Sequence, residues 1–345
     1  MVAVGALDYR RRVSAGLSTA PFLIPIGLVT ALMIGLRFEV GGDWFNYEEI
    51  YENTRGVDLG DLLAMGDPGY MVLNWLANEF GLEVWAVNLA CGIIFSWGLI
   101  RFARRQANPW LAVVVAIPYL VIVVAMGYSR QGVAIGIILA GLANLDRSTV
   151  ARFAIYIVFA AAFHKSAVIV LPLVALAAAR QRIVIAGLLG LTAILLYYLF
   201  VQSSVDRMLV NYVEAEYSSQ GAAIRVAMNM PPAVLFLLNQ HRFGFSPQQQ
   251  KLWRNFALGA LGAFVMLTLT SATAAVDRIA LYLIPLQLTV LAALPTAFPS
   301  GGKPNGQLAL GVIIYSAFIQ FVWLNYATHA EYWLPYQFYP VIEDS

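Results

Sequence analysis

The stretch RFAIYIVFAAAFHKSAVIVLPLVALAAAR, residues 152–180, carries three consecutive polar residues, His164, Lys165 and Ser166, inside an otherwise apolar run. Arg152 and Arg180 close a 27-residue interval, and both fall on the side that the basic residues of the chain mark as cytoplasmic. One helix cannot start and finish on the same side, so the interval predicts a hairpin. Each arm has about 12 to 14 residues, roughly 18 to 21 Å at the helical rise, against a hydrocarbon core of ~30 Å. The apex is therefore expected below the outer surface. Polar groups at that depth are costly unless they face a wet cavity or a partner, so the stretch reads as the floor of an outward-facing cavity. The alternative is that His164 and Lys165 cap the hairpin and reach ordinary outer water.

The rest of the chain supports a membrane setting. Of 345 residues, 60% are hydrophobic and 12% charged, about half the charge of a soluble domain. Apolar stretches of about 18 residues or more recur, each long enough to span a bilayer as a helix that satisfies its own backbone. The expected fold is all-α: a polytopic integral membrane protein with a single domain over 1–345 and about eleven spans. These lie near 16–38, 83–103, 109–127, 129–146, 151–163, 166–180, 183–203, 226–241, 253–273, 278–297 and 307–326. The first follows Arg10, Arg11 and Arg12 and is longer than a signal peptide, with no convincing small-residue cleavage site after it; it reads as a retained anchor helix. With the N-terminus in the cytoplasm, that side holds Arg10–Arg12, Arg101, Arg104, Arg105, Arg147, Arg152, Arg180, Arg182, Arg242, Lys251, Arg254 and Lys303, which is 14 of the 21 basic residues. This bias fits the positive-inside rule.

The first outer loop has the opposite character: from Glu39 to Asp67 it carries eight acids and one base, Arg55. The following DPGYMVLNWLANEF, residues 67–80, is amphipathic and too short to span, which predicts a re-entrant or interfacial helix near 67–80. The outer elements are thus the loop 39–80, a segment at 204–225, and an aromatic- and proline-rich tail. The single cysteine, Cys91, excludes an intrachain disulfide. No metal-ligand spacing and no phosphate-binding glycine loop occurs, so neither a metal site nor a nucleotide cofactor is expected, and nothing suggests nucleic acid.

Several polar residues fall at the same outer level as His164. Arg130, in GYSRQGVAIG, starts a span on which Gly132, Gly136 and Ala140 recur every four residues, the spacing that lets helices pack closely; the alternative is an arginine reaching to lipid headgroups. Asp277 and Arg278, in TAAVDRIALYL, start another span, unless they simply pair with each other at a loop. Arg225 shares a helix face with Asn229, ahead of Pro231 and Pro232. In EVGGDWFNYEEIY, Asp43, Trp44, Asn46 and Tyr47 mix rings with carboxylate and amide groups, as a sugar-binding surface requires; an interfacial aromatic belt is the competing reading. His241 beside Arg242 reads as structural, and His329 is open to either reading.

The motifs GGDWFNY, DPGY, SRQGVAI, FHKSA, VDRIALYL and WLPYQFY, taken in order, resemble the EpsG family of Wzy-type exopolysaccharide polymerases over most of the chain. The resemblance implies a glycosyltransferase of the bacterial cytoplasmic membrane, with its active site facing outward, that joins oligosaccharide repeat units carried on undecaprenyl pyrophosphate. Donor and acceptor are then both lipid-linked, the bilayer is a partner, and chain-length regulator or export proteins of the same pathway are further partners. The expected catalytic residues are His164, Arg130, Arg278 and Asp43. The arginines offer planar donors to the leaving pyrophosphate, and either His164 or Asp43 is the base for the acceptor hydroxyl. Trp44, Tyr47, Gln131, Lys165, Arg225, Asp277 and Tyr336 are candidate substrate ligands. A lipid-linked sugar transporter or flippase shares a charged cavity, but it usually shows repeat symmetry, and none is visible. A glycan ligase shares the same chemistry and stays open.

Overall fold

A computed structural model describes residues 20–145, 150–178, 187, 221–270 and 273–341. Among these residues helices carry nearly all regular structure, and extended pairing is limited to two isolated bridges, Arg37 with Phe338 and Ser300 with Lys303. The principal helices are α1 (Leu23–Gly35), α2 (Trp44–Asn53), α3 (Leu59–Met65), α4 (Pro68–Glu79), α5 (Val84–Ala103), α6 (Pro109–Ala116), α7 (Ser129–Leu142), α8 (Val150–Phe163) and α9 (Val170–Ala178). They continue as α10 (Ala222–Ala227), α11 (Met230–Asn239), α12 (Pro247–Leu269), α13 (Thr273–Ala280), α14 (Ile284–Ala297) and α15 (Gly306–Tyr326). A wider π-helical stretch, Ile117–Ala125, extends α6.

Among the described residues five continuous helices are long and apolar enough to cross a membrane: Val84–Ala103, Ala222–Arg242, Pro247–Leu269, Thr273–Ala297 and Gly306–Tyr326. Five shorter apolar helices, Leu23–Gly35, Pro109–Ala125, Ser129–Leu142, Ala151–Phe163 and Lys165–Ala177, fall where further spans are expected. The expected span at 183–203 lies outside the described residues apart from Gly187, and so does most of the segment 204–225. The helix expected near 67–80 forms as α4, 12 residues long. The acidic segment before it is not a plain loop, because α2 and α3 both lie within it.

Local chemistry accounts for several of these elements. In SPQQQ, the Ser246 hydroxyl accepts from the Gln249 amide while the Gln249 side chain accepts from the Ser246 amide, so α12 opens on a capping box with Pro247 at its first position. The small-residue stripe on α7 does pack closely. A Cβ on Gly136 would lie 2.6 Å from the Phe95 Cα, and one on Gly98 would lie 1.9 Å from the Gly136 carbonyl oxygen. Bare backbone is what lets α5 and α7 touch there.

Where α1, α5 and α7 meet, Arg37 is fully buried. Its Nε donates to the Val40 carbonyl at 3.0 Å. One terminal nitrogen donates to the Ile34 carbonyl. The other donates to Asn88 Oδ1 at 3.1 Å and Ser129 Oγ at 2.7 Å. The guanidinium also lies 5.6 Å from the Trp44 ring centroid. The tail folds back onto this point. Phe38 and Gly41 donate backbone N–H groups to Gln337 and Tyr332, Tyr339 donates one to Leu36, and the Trp333 indole donates to the Ile122 carbonyl at 2.7 Å.

Candidate active site

The polar cluster is built by chain turns that meet at one end of the bundle, the end carrying the acidic segment. α8 stops at His164, whose extended backbone (φ −157°, ψ 113°) breaks the helix before the 3₁₀ turn Lys165–Ile169. The DPGY turn lies against that break, since a Cβ on Gly69 would fall 2.9 Å from the Phe163 ring and 3.1 Å from the Ala162 carbonyl oxygen. The paired-glycine turn at 41–42 lies against the start of α7. Gly41 has φ +109°, and a Cβ there would fall 2.6 Å from the Met126 carbonyl oxygen, so only glycine fits. This delivers Asp43 to the neighbourhood of Arg130.

Arg130 is held from two sides. Its Nη1 donates to Asp67 Oδ2 at 3.1 Å. Its guanidinium lies 5.8 Å from the Tyr47 ring and 5.9 Å from the Tyr70 ring, which are themselves 5.5 Å apart. Two phenol faces and a carboxylate fix the planar group, and cation–π contact favours its charge. Next to it, Gln131 donates to the Arg278 backbone carbonyl at 2.7 Å, tying α7 to α13. Tyr282 lies four residues after Arg278, on the same helical face; its hydroxyl is 3.0 Å from His164 Nδ1. The fields of Arg130 and Arg278 both reach His164 and Asp43, and those of Arg130 and Lys165 both reach Asp67. These groups therefore share one space.

Their electrostatic states differ. Burial raises the Asp43 carboxyl above the ordinary carboxylate range, against the opposing pull of Arg130 and Arg278. Burial also raises Asp67, outweighing Arg130 and Lys165. Lys165 and Arg278 are exposed, and their side chains make no hydrogen bond or ion pair among the described residues. The Tyr70 hydroxyl is buried and makes no hydrogen bond among the described residues. Arg225 is in the opposite condition: its Nε lies 3.0 Å from both Asp277 carboxylate oxygens, and its Nη2 lies 2.6 Å from one of them.

The sequence expectations can be placed on this geometry. His164, Arg130, Arg278, Asp43, Lys165 and Gln131 come together. Asp277 does not pair with its neighbour Arg278; it is engaged by Arg225. Arg278 lies inside α13 rather than at its start. Trp44 was expected at a surface facing sugar, but only 2% of it is exposed; its ring packs against Phe38 and under Arg37. Tyr47 is 1% exposed and supports Arg130. Tyr336 donates its hydroxyl to the Met33 carbonyl at 2.8 Å and lies on the tail. Asp67, Tyr70 and Tyr282 were not singled out, although DPGY and VDRIALYL contain them. The signal was present for Tyr282, four residues from Arg278. For Asp67 the sequence carried none, because an aspartate ahead of a helix-opening proline reads as a cap, and only the structure shows that it makes no cap to its own helix.

Among the described residues no group of three or more His, Cys, Asp or Glu side chains could hold a metal ion. The arrangement suits an anion: the fields of Arg130 and Arg278 both reach the imidazole, and that of Lys165, next to it in the chain, reaches Asp67. The EpsG family model matches residues 21–338, nearly the whole chain. The chain belongs to the EpsG family. This is a family of Wzy-type polymerases, and membership points to an exopolysaccharide polymerase embedded in a membrane. Searches of the curated proteins and of the solved structures each returned no match.

Proposed function

We propose that this EpsG-family chain is a membrane glycosyltransferase that polymerises oligosaccharide repeat units linked to undecaprenyl pyrophosphate, at the outer face of the bacterial cytoplasmic membrane. The observation that carries this reading is the convergence of Arg130 and Arg278 on His164 and Asp43, with Lys165 acting on Asp67 beside them. A lipid pyrophosphate leaving group needs fixed cations that do not reorganise as charge develops, and Arg130 is held in just that way by Asp67, Tyr47 and Tyr70.

The acceptor hydroxyl oxygen bonds to the donor's anomeric carbon as the bond from that carbon to the pyrophosphate oxygen breaks. The electron pair leaves on undecaprenyl pyrophosphate, facing Arg130 and Arg278. The hydroxyl proton passes to His164 Nε2, while Nδ1–H donates to the Tyr282 oxygen and holds the ring in the tautomer that a base requires. Asp43 is the competing base.

In this reading the shorter apolar helices complete a bundle of about eleven spans, with 150–178 as the hairpin and the N-terminus in the cytoplasm. The basic-residue asymmetry supports that orientation. The polar cluster lies at one end of the bundle, which favours one-sided chemistry over transport. The deciding experiment incubates purified protein with lipid-linked repeat units and resolves the products by length. A ladder supports polymerisation. Transfer of one unit onto another acceptor would indicate a ligase, and movement of unchanged donor across a vesicle would indicate a transporter.

A further inference from the structure

The opposite end of α5 carries a second built feature. A groove of about 500 Å³ runs along the seam between α1 and α5. Its walls are Ile24, Leu28, Ile93 and Trp97, all of them large and exposed. Its mouth is formed by Arg101, Arg104 and Arg105. Among the described residues no acidic side chain lines it. The α5 helix has 20 residues, so the groove mouth lies ~30 Å along its axis from Glu83, which the tail's Tyr339 contacts at the acidic end. The groove is therefore separate from the candidate active site.

Three features identify the ligand chemistry. Arg101 and Arg104 make no hydrogen bond or ion pair through their side chains among the described residues, and Arg101 is steadied over the Trp97 ring at 5.5 Å. Two guanidinium groups one turn apart can together take up phosphate oxygens. The walls are apolar and face outward, where a hydrocarbon chain covers them at no cost. Ser96 also lines the groove; it is 3% exposed, and its hydroxyl makes no hydrogen bond among the described residues. It lies five residues before Arg101, about 7.5 Å deeper along the axis. That is where an ester carbonyl of a glycerolipid falls when its phosphate rests on the arginines.

We propose that this groove is a binding site for an anionic phospholipid of the bilayer, with the phosphate on Arg101 and Arg104, an ester carbonyl accepting from Ser96, and one acyl chain between α1 and α5. In the orientation given above this is the cytoplasmic leaflet, whose anionic lipids draw basic clusters. The site does not depend on the polymerase reading.

The test uses the full-length protein in detergent, with native mass spectrometry counting bound lipid and thermal unfolding as a second readout. Phosphatidylglycerol should bind and raise the unfolding temperature, phosphatidylcholine with the same chains should bind more weakly and raise it less, and inorganic phosphate should do neither. Each arginine is worth about fivefold in affinity, so R101Q/R104Q should weaken phosphatidylglycerol about 30-fold while polymer formation continues. Leu28→Trp fills the groove from its exposed wall and leaves both arginines in place. It should also release the lipid, and it keeps the test valid if the double variant folds poorly. Equal binding of phosphatidylcholine would overturn the site as an anion receptor. Unchanged binding in both variants would overturn its location, and displacement by undecaprenyl phosphate at equal concentration would overturn the occupant.

Discussion

Two polar assemblies adjoin at the acidic end of the bundle, and they differ in how far their hydrogen-bonding capacity is used up. Arg37 is fully buried and spends its fork on two carbonyls, an amide and a hydroxyl, with a ring against its face. One residue beyond its partner Ser129, Arg130 opens the other assembly, in which Lys165 and Arg278 are exposed with no side-chain partner among the described residues and the Tyr70 hydroxyl is unmatched. The first assembly engages four of the five guanidinium N–H groups and holds three helices together, although the Asn88 amide nitrogen within it is buried without a partner among the described residues. The second is left open, and open donors around an imidazole are what an anionic substrate would complete. The Arg225–Asp277 pair sits beside the second assembly but behaves like the first. Burial alone therefore does not distinguish structure from chemistry here; the state of the donors does.

The strongest way to break this contrast is at His164. If its imidazole takes the acceptor proton, His164→Ala should lower polymerisation by roughly 10² to 10⁴-fold, with binding of the lipid-linked donor retained because Arg130 and Arg278 remain. His164→Asn and His164→Gln should be no better, since an amide replaces a hydrogen bond to Tyr282 but not a proton acceptor. Polymer yield and donor binding measured on the three variants decide the point. Near-normal chain growth in all three would place His164 with the structural groups around Arg37.

The converse experiment is at Arg37. Arg37→Met leaves Asn88, Ser129 and two carbonyls without their donor, and buried groups stripped of partners cost about 1–3 kcal/mol each. A loss of at least about 3 kcal/mol in stability is expected, seen as a large fall in unfolding temperature in detergent. Activity per folded molecule should remain close to that of the parent chain. A variant that folds normally but cannot polymerise would move Arg37 into the chemical assembly.

A smaller effect should separate the three outer arginines. Arg130→Lys and Arg278→Lys keep charge but lose the planar fork, so each should cost about tenfold in kcat/KM, or ~1.4 kcal/mol in the barrier. Arg225→Lys loses its bidentate hold on Asp277 and should mainly lower stability, by roughly 1–3 kcal/mol. Kinetics and thermal unfolding on the same preparations sort the three. A kinetic loss confined to Arg225→Lys would reverse the assignment.

The all-helical architecture was legible because apolar run length is a sum over many residues. The break at His164 was legible because two arginines fixed the ends of a run too short to cross twice. Gly132 and Gly136 announced a close helix contact through their spacing. Other features depended on partners distant in sequence. Nothing local reveals that Arg225 reaches Asp277 across 52 positions, or that Arg37 meets Asn88 and Ser129. Trp44 looked like a sugar platform because GGDWFNY is polar on both sides, yet Arg37 and Phe38 enclose its ring. Asp67 was counted among the loop acids, but it is a direct partner of the central arginine.

The finest distinction is between the two candidate bases, and pH reads it. Burial lifts the Asp43 carboxyl above the ordinary range, while Arg130 and Arg278 pull it down. A carboxyl with a raised value is favoured by folding in its protonated form. Its stabilising contribution is therefore fully present below the unfolded value and fades as pH rises through the folded one, the reverse of an ion-paired aspartate. Catalysis runs the other way, because a base works only when ionised. If Asp43 accepts the proton, kcat/KM should rise with pH along an acid limb lying above the ~3.9 of a free aspartate. Arg278→Gln removes one of the opposing cations and should push that limb to still higher pH. Asp43→Asn should abolish the limb together with most of the activity. If instead the limb survives in Asp43→Asn and disappears in His164→Gln, the imidazole is the base and Asp43 belongs to the groups that position the acceptor. The same pair of profiles thus assigns the proton to one side chain or the other, using variants that differ from the parent by a single amide.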